Sequence, residues 1–145
     1  MVHVLATGLE FIAQENPNGK PAVRGYNIIN GQLTSASDGS TFKSTNPAMR
    51  ADCLGEFPLS TRDDVRDALH AARAAFPDWS ATPAPTRGQI IGNMGRLLME
   101  HKDALVALET REIGKTLKES GGEIQEAIDT CLFFQSEGRR LYGQT

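Results

Sequence analysis

The feature that most constrains this chain is a change of period at Ser60. After it, apolar residues recur at helical spacing almost to the C-terminus, and each stretch has its own start and stop signals. Ser60 and Thr61 precede Asp63 and Asp64, acidic groups suited to the free amides of a first helical turn. Val65, Ala68, Leu69, Ala72 and Phe76 share one face, and Pro77 is expected to stop that helix. A second start is expected at Thr86, three residues before Gln89, with Ile90, Ile91, Met94, Leu97 and Leu98 as its apolar stripe. Leu105, Leu108 and Glu112 lead to Gly114, which suits a helix C-terminus because glycine enters the left-handed region without steric cost. Ser120 and Glu123 read as a capping box for a fourth helix that carries Ile124, Ala127, Ile128, Cys131 and Phe134 and runs to about Arg140. The side chains expected to turn inward are Val65, Leu69, Ala72, Ile91, Met94, Leu98, Leu105, Leu108, Ile124, Ile128 and Cys131.

Ahead of Ser60 the signals are weaker. Residues 1–25 read as an irregular extension, since Asn16 to Pro21 strings turn formers together. Residues 26–59 read as a small β element. Asn27–Asn30 and Ser40–Thr45 are expected to form a hairpin with a long loop, and Cys53–Leu59 a strand that Gly55 and Pro58 confine to an edge or a bulge. On its residues alone this chain is mainly α, four helices after a small N-terminal β hairpin.

The composition narrows the function classes. The 145 residues make one ordinary domain, and 15 Lys and Arg against 18 Asp and Glu, without a run of either sign, give no footprint for nucleic acid. No apolar stretch reaches the roughly 18 residues of a membrane span, and no secretory signal is visible, so the expected location is cytoplasmic. Cys53 and Cys131 are too few for a disulfide framework. Cys131 lies on an apolar stripe and Cys53 beside Asp52, where negative charge disfavours the thiolate, so both read as structural. His3, His70 and His101 are scattered and read as solvated. Gly92 and Gly95, each costing about 1 kcal/mol inside a helix, point to close helix packing. Glu109, Arg111, Glu112 and Lys115 read as a solvated charged face, and Arg139 and Arg140 as complements to a helix C-terminus. No catalytic constellation emerges from residue types and spacing.

The order of longer motifs is more informative. INGQ at Ile29–Gln32, TFKSTNPA at Thr41–Ala48, LGEFPLST, DDVRDALHAARAAFPDWS, TRGQIIGNMGRLL, LETREIGKTLKES at Leu108–Ser120 and EIQEAIDTCLFFQSEGRRLYGQT together resemble the start of an aldehyde dehydrogenase, from Tyr26 to Thr145. The resemblance implies an α/β enzyme with a Rossmann-type cofactor domain, a catalytic domain and a β arm that pairs subunits. Residues 60–145 would be the helical N-terminal part of its cofactor-binding domain. In such enzymes a cysteine thiolate adds to the aldehyde, hydride passes to NAD or NADP, and a glutamate-activated water releases the acid. The motifs for nucleophile, base and cofactor loop have no counterpart here, so no catalytic or cofactor-binding residue is assigned, and the chain alone is expected to hold no cofactor and to be inactive. Its expected partners are the remainder of such a chain and other subunits of a homo-oligomer, with neither nucleic acid nor membrane. The resemblance also implies a structural monovalent cation between the main chain at Thr45 and the Glu112 carboxylate, a hard-oxygen pair. The alternative is a free-standing helical interaction module without catalysis.

Overall fold

The computed structural model describes residues 10–15 and 21–140. Six strands precede four helices: β1 (Glu10–Glu15), β2 (Pro21–Arg24), β3 (Asn27–Ile29), β4 (Gln32–Thr34), β5 (Thr41–Thr45), β6 (Cys53–Pro58), α1 (Arg62–Ala81), α2 (Ala84–Glu100), α3 (Lys102–Ile113) and α4 (Leu117–Glu137). The chain divides into two compact units, Met1–Pro77 with Arg111–Gly114, and Asp78–Thr110 with Lys115–Thr145.

The first unit holds the strands. One sheet has the order β1-β2-β6-β5, and β3 and β4 form a separate ribbon. Three expectations change here. Residues 1–25 are not wholly irregular, because β1 and β2 pair antiparallel on either side of residues 16–20, which lie outside the described residues along with His3. Pro21 stands at the first position of β2, where a missing N–H costs no interior ladder bond. The Asn27–Asn30 run does not pair with Ser40–Thr45. It folds back on Gln32–Thr34 through Asn30–Gly31, both with positive φ (52° and 73°), the conformation an Asn-Gly dipeptide favours in a two-residue hairpin. Finally, β6 is interior, parallel to β2 and antiparallel to β5. Gly55 makes this possible, since a Cβ there would stand 1.9 Å from the Val23 carbonyl oxygen, and Pro58 ends the strand. Leu54 and Val23 are buried, and Phe42 faces Phe57 across β5 and β6 with ring centroids 5.8 Å apart.

Asp64 fixes the start of α1. Its carboxylate accepts the Thr61 N–H at 2.7 Å while Thr61 Oγ1 accepts the Asp64 N–H at 3.4 Å, a reciprocal cap, and it also accepts the Ser37 N–H at 3.0 Å. The Asp64 carboxyl is held below its ordinary range chiefly by the Thr61 N–H, against the opposing effect of burial, with Ser37 adding to the lowering. Pro77 does not stop α1, which runs on to Ala81. Proline removes one N–H and disfavours the helical region at the preceding residue without forbidding it. The expected inward face of α1 is open: Val65 is 55% and Leu69 57% exposed, and Ala72 is exposed too. Periodicity identifies an apolar face but not what covers it.

In the second unit α2 packs chiefly on α4. The helix starts two residues before Thr86, with Pro83 as cap, Pro85 in the first turn and no capping side chain. The box of α4 is Thr116 with Glu119, not Ser120 with Glu123: Thr116 Oγ1 accepts the Glu119 N–H at 3.3 Å and the Glu119 carboxylate accepts the Thr116 N–H at 3.1 Å. Ser120 is instead fully buried and meets Thr110 Oγ1 at 3.0 Å. Close packing through glycine is as expected for Gly92 and Gly95, and Gly88 and Gly138 extend it. A Cβ on Gly88 would lie 2.5 Å from the Gln135 carbonyl oxygen, and one on Gly138 2.4 Å from that of Ala84. Ile128 and Cys131 are buried against this seam, Ile91, Leu98, Leu105, Leu108 and Ile124 are half-buried, and Met94 is exposed, contrary to expectation.

Two predictions follow the packing and the cap. Gly88→Ala should lower stability by about 1–3 kcal/mol because main-chain atoms must move, whereas Gly122→Ala, with open space around the added methyl, should raise it by about 0.5–1 kcal/mol. Denaturant midpoints of the two variants should move in opposite directions. Because the folded-state value of Asp64 is lowered, its contribution is present above the ordinary carboxylate value of about 4 and is lost as pH falls through the folded value. The stability gap between the parent and Asp64→Asn should therefore shrink from pH 7 to pH 3; a constant gap would show that the charge of Asp64 contributes nothing.

Candidate functional site

A buried polar arrangement in the first unit joins the β5–β6 connection to the last turn of α3. Asn46 and Pro47 turn the chain after β5, and the Asn46 side chain accepts the Ala48 N–H at 2.9 Å. The Asn46 N–H donates to the Asp52 carbonyl at 2.9 Å, closing the connection. Asp52 is fully buried, and Arg111 supplies its counter-charge: Nη2 donates to Oδ1 at 2.8 Å and Nε to Oδ2 at 3.1 Å, with the arginine side chain only 14% exposed. Asn46 Nδ2 adds a third donor at 3.3 Å. This two-pronged geometry is the strong form of the contact, because both carboxylate oxygens are satisfied by one planar fork. The reading of Arg111 as part of a solvated charged face is thus corrected: its guanidinium points inward, to a residue 59 positions earlier. Gly114, with φ of +77°, ends α3 and lies against Pro47 and Ala48, where a Cβ would stand 2.9 Å from Pro47 Cγ.

The two expected cation ligands lie on these two segments, Thr45 at the end of β5 and Glu112 in the last turn of α3, and both residues are exposed. Thr45 faces Cys53, and its neighbour Asn46 directs its N–H toward Asp52. No cis peptide occurs among the described residues, so the Thr45 carbonyl points opposite to that N–H, away from β6 and toward the outer edge of the sheet.

In the second unit Lys115 donates to the Glu123 carboxylate. That contact first, and the charges of Glu109 and Glu119 after it, raise the ammonium above its ordinary range, while the same contact lowers Glu123. Lys115 is therefore held by α4, which corrects its place on a solvated charged face. Cys131 is buried against Gly95, and Cys53 is half-buried with its thiol 3.9 Å from the Gly55 carbonyl. A groove of about 630 Å³ is bounded by Trp79, Arg87, Ile91, Met94 and Phe134, with the Arg87 guanidinium 5.9 Å from the Trp79 ring centre. His70 is exposed and His101 half-buried. Among the described residues no three His, Cys, Asp or Glu are grouped to hold a metal ion, and no helix is long and apolar enough to cross a membrane.

Comparison with known proteins gives a consistent answer. Residues 33–145 match the model of the aldehyde dehydrogenase family. The NADP+ succinate-semialdehyde dehydrogenase of Escherichia coli K12 is 42% identical over 118 residues, which are 81% of this chain and 24% of that protein. The α-ketoglutarate semialdehyde dehydrogenase of Haloferax volcanii is 38% identical over 117 residues, 81% of this chain and 24% of that protein. Among solved structures, an NAD-dependent aldehyde dehydrogenase from Sinorhizobium meliloti superposes with a TM-score of 0.83 at 28% identity, covering 92% of this chain and 28% of that one. The chain spans about a quarter of the length of the curated relatives it matches.

Removing the arginine of the buried pair should be costly. Arg111→Ala leaves the Asp52 charge buried without the fork that balances it, a loss of about 3–5 kcal/mol in unfolding free energy. Combining it with Asp52→Leu should recover a large part of that loss; equal destabilisation in the single and double variants would show that the ion pair is not the source.

Proposed function

The chain belongs to the aldehyde dehydrogenase family, and we propose on that footing that it is the N-terminal segment of an NAD(P)-dependent enzyme oxidising an aldehyde to a carboxylic acid. The observation that carries this reading is the family match over residues 33–145, joined to the superposition on a solved NAD-dependent member. Residues 60–145 form, in this reading, the helical N-terminal part of the cofactor-binding domain. Its partners are the remainder of the enzyme and other subunits of a homo-oligomer, in the cytoplasm. The substrate is a semialdehyde, an aldehyde whose other end carries a carboxylate, as the names of two relatives specify for those proteins.

The overall reaction takes an aldehyde, water and NAD(P)+ to a carboxylate and NAD(P)H. The nicotinamide accepts the hydride when bound. This segment contributes no nucleophile or base: Cys131 is buried in helix packing, and Cys53 sits within the β unit beside a buried carboxylate already claimed by Arg111. Its task is structural, to hold the helices and the β5–β6 connection that the rest of the enzyme builds upon. A structural monovalent cation, ligated by the Thr45 carbonyl and the Glu112 carboxylate, belongs to the same reading. The donors suit such an ion, since both are hard oxygens, the carbonyl lies on the open edge of the sheet, and exposure leaves room for water ligands.

The test uses the complete gene product beside the 145-residue chain, with succinate semialdehyde, glutarate semialdehyde and an uncharged aldehyde of similar length. Absorbance from NAD(P)H should rise with the complete protein, with kcat/KM at least about tenfold higher for the carboxylated aldehydes, roughly 1.4 kcal/mol of discrimination. The 145-residue chain should give a flat trace. A complete protein that reduces neither NAD+ nor NADP+ with any of the three would overturn the assignment, and equal rates on all three would remove the semialdehyde class alone.

A further inference from the structure

We propose that the Asp52–Arg111 pair is a positioning clamp for the monovalent cation, setting both of its protein ligands from one buried carboxylate; this rests on the cation reading above. Asp52 acts in two directions. Through its main chain it receives the Asn46 N–H, and because the Thr45–Asn46 peptide is trans this orients the Thr45 carbonyl outward from the sheet edge. Through its side chain it grips Arg111 with two bonds and Asn46 Nδ2 with a third. Arg111 immediately precedes Glu112 in the last turn of α3, so the fork that holds Arg111 also fixes the helix turn from which Glu112 projects.

The charges support the arrangement. Arg111 is committed to Asp52, so the nearest cation in the sequence does not neutralise Glu112, which has no ion-pair partner among the described residues. An unneutralised carboxylate and an outward-facing carbonyl, both exposed and borne on two segments that meet where Gly114 lies against Pro47, then offer net negative charge to a cation. The close approach of Gly114 to Pro47 and Ala48 keeps the two ligand-bearing segments in register, since any larger residue would push them apart. Groups that orient metal ligands from behind commonly change ion affinity by about 10–100-fold when altered.

The experiment measures melting temperature of the complete gene product across a titration of sodium or potassium chloride, with tetramethylammonium chloride holding ionic strength constant, and sodium NMR linewidth as a second readout. The parent should melt higher in the small cation, and Glu112→Ala should abolish that increment. Arg111→Lys keeps the charge but loses the fork, and Asp52→Glu displaces the carboxylate. Both should move the cation midpoint at least about tenfold higher and narrow the sodium line. If the parent shows no increment, or Glu112→Ala retains it, the cation reading fails and the clamp falls with it. If the parent responds and Glu112→Ala does not, yet Arg111→Lys and Asp52→Glu keep the parental midpoint while melting lower in both salts alike, the pair is structural only and this proposal is overturned. Should Asp52→Glu fail to fold, Arg111→Lys alone decides by the same midpoint.

Discussion

A carboxylate with no solvent exposure must be paired, and in this protein the pairing of Asp52 organises everything around the β5–β6 connection. Asp52 lies at the end of a tight connection whose main-chain bonds, from Asn46 to Asp52 and from Asp52 to Met49, already limit its freedom. Its side chain is then held by the fork of Arg111, with Asn46 Nδ2 on one of the same oxygens. The pair is not an efficient way to gain stability, since burying two charges costs about as much as their attraction returns. What it supplies is geometry: an apolar pair of equal volume would tolerate a shifted helix turn, whereas two hydrogen bonds from one planar group tolerate little.

Glycine plays the corresponding role in the second unit. Gly88, Gly92 and Gly95 present main chain where other residues would present a methyl, so α2 and α4 approach until Gln135 and Cys131 touch the opposing backbone. Each glycine weakens its own helix by about 1 kcal/mol, and the seam returns this as dispersion contacts and the burial of Ile128 and Cys131. Gly121 and Gly122 differ in that open space surrounds them in the middle of α4. Nothing in the packing of the described residues explains them.

How much of this was legible in the sequence follows from the range of the forces involved. Helix existence depends on neighbours three and four residues apart, so all four helices could be read, along with the glycine stop at Gly114. Cap positions could not be fixed the same way, because Thr116 and Ser120 each offer a hydroxyl three residues before a glutamate. The choice falls on Thr116 since Ser120 has Thr110 as a buried partner. The Asn30–Gly31 turn is encoded by two adjacent residues, whereas the parallel pairing of β2 with β6 depends on Gly55 meeting a residue 32 positions earlier, which no local pattern encodes. The Asp52–Arg111 pair is invisible for the same reason. Arg111 stands in a run of charges with Glu109, Glu112 and Lys115, a pattern that by itself describes a solvated face.

The family resemblance succeeds where local chemistry is silent because the two rest on different information. Motif order is a property of the whole chain, and a match over 33–145 needs no single residue to be catalytic. The exposed apolar side chains give that match a physical counterpart. Val65, Leu69 and Phe76 line one face of α1, and Phe133 and Phe134 stand edge to face on α4 with centroids 5.3 Å apart, each more than half exposed. Leaving such groups a little over half in water forfeits roughly half of the about 1.5–3 kcal/mol that full burial of each would return. Helices carrying these faces are kept by tertiary contacts made elsewhere on their surfaces: the Thr61–Asp64 cap and the Ser37 bond at the start of α1, and the glycine seam under α4. The caps and the seam thus hold the apolar faces in position independently of whatever covers them.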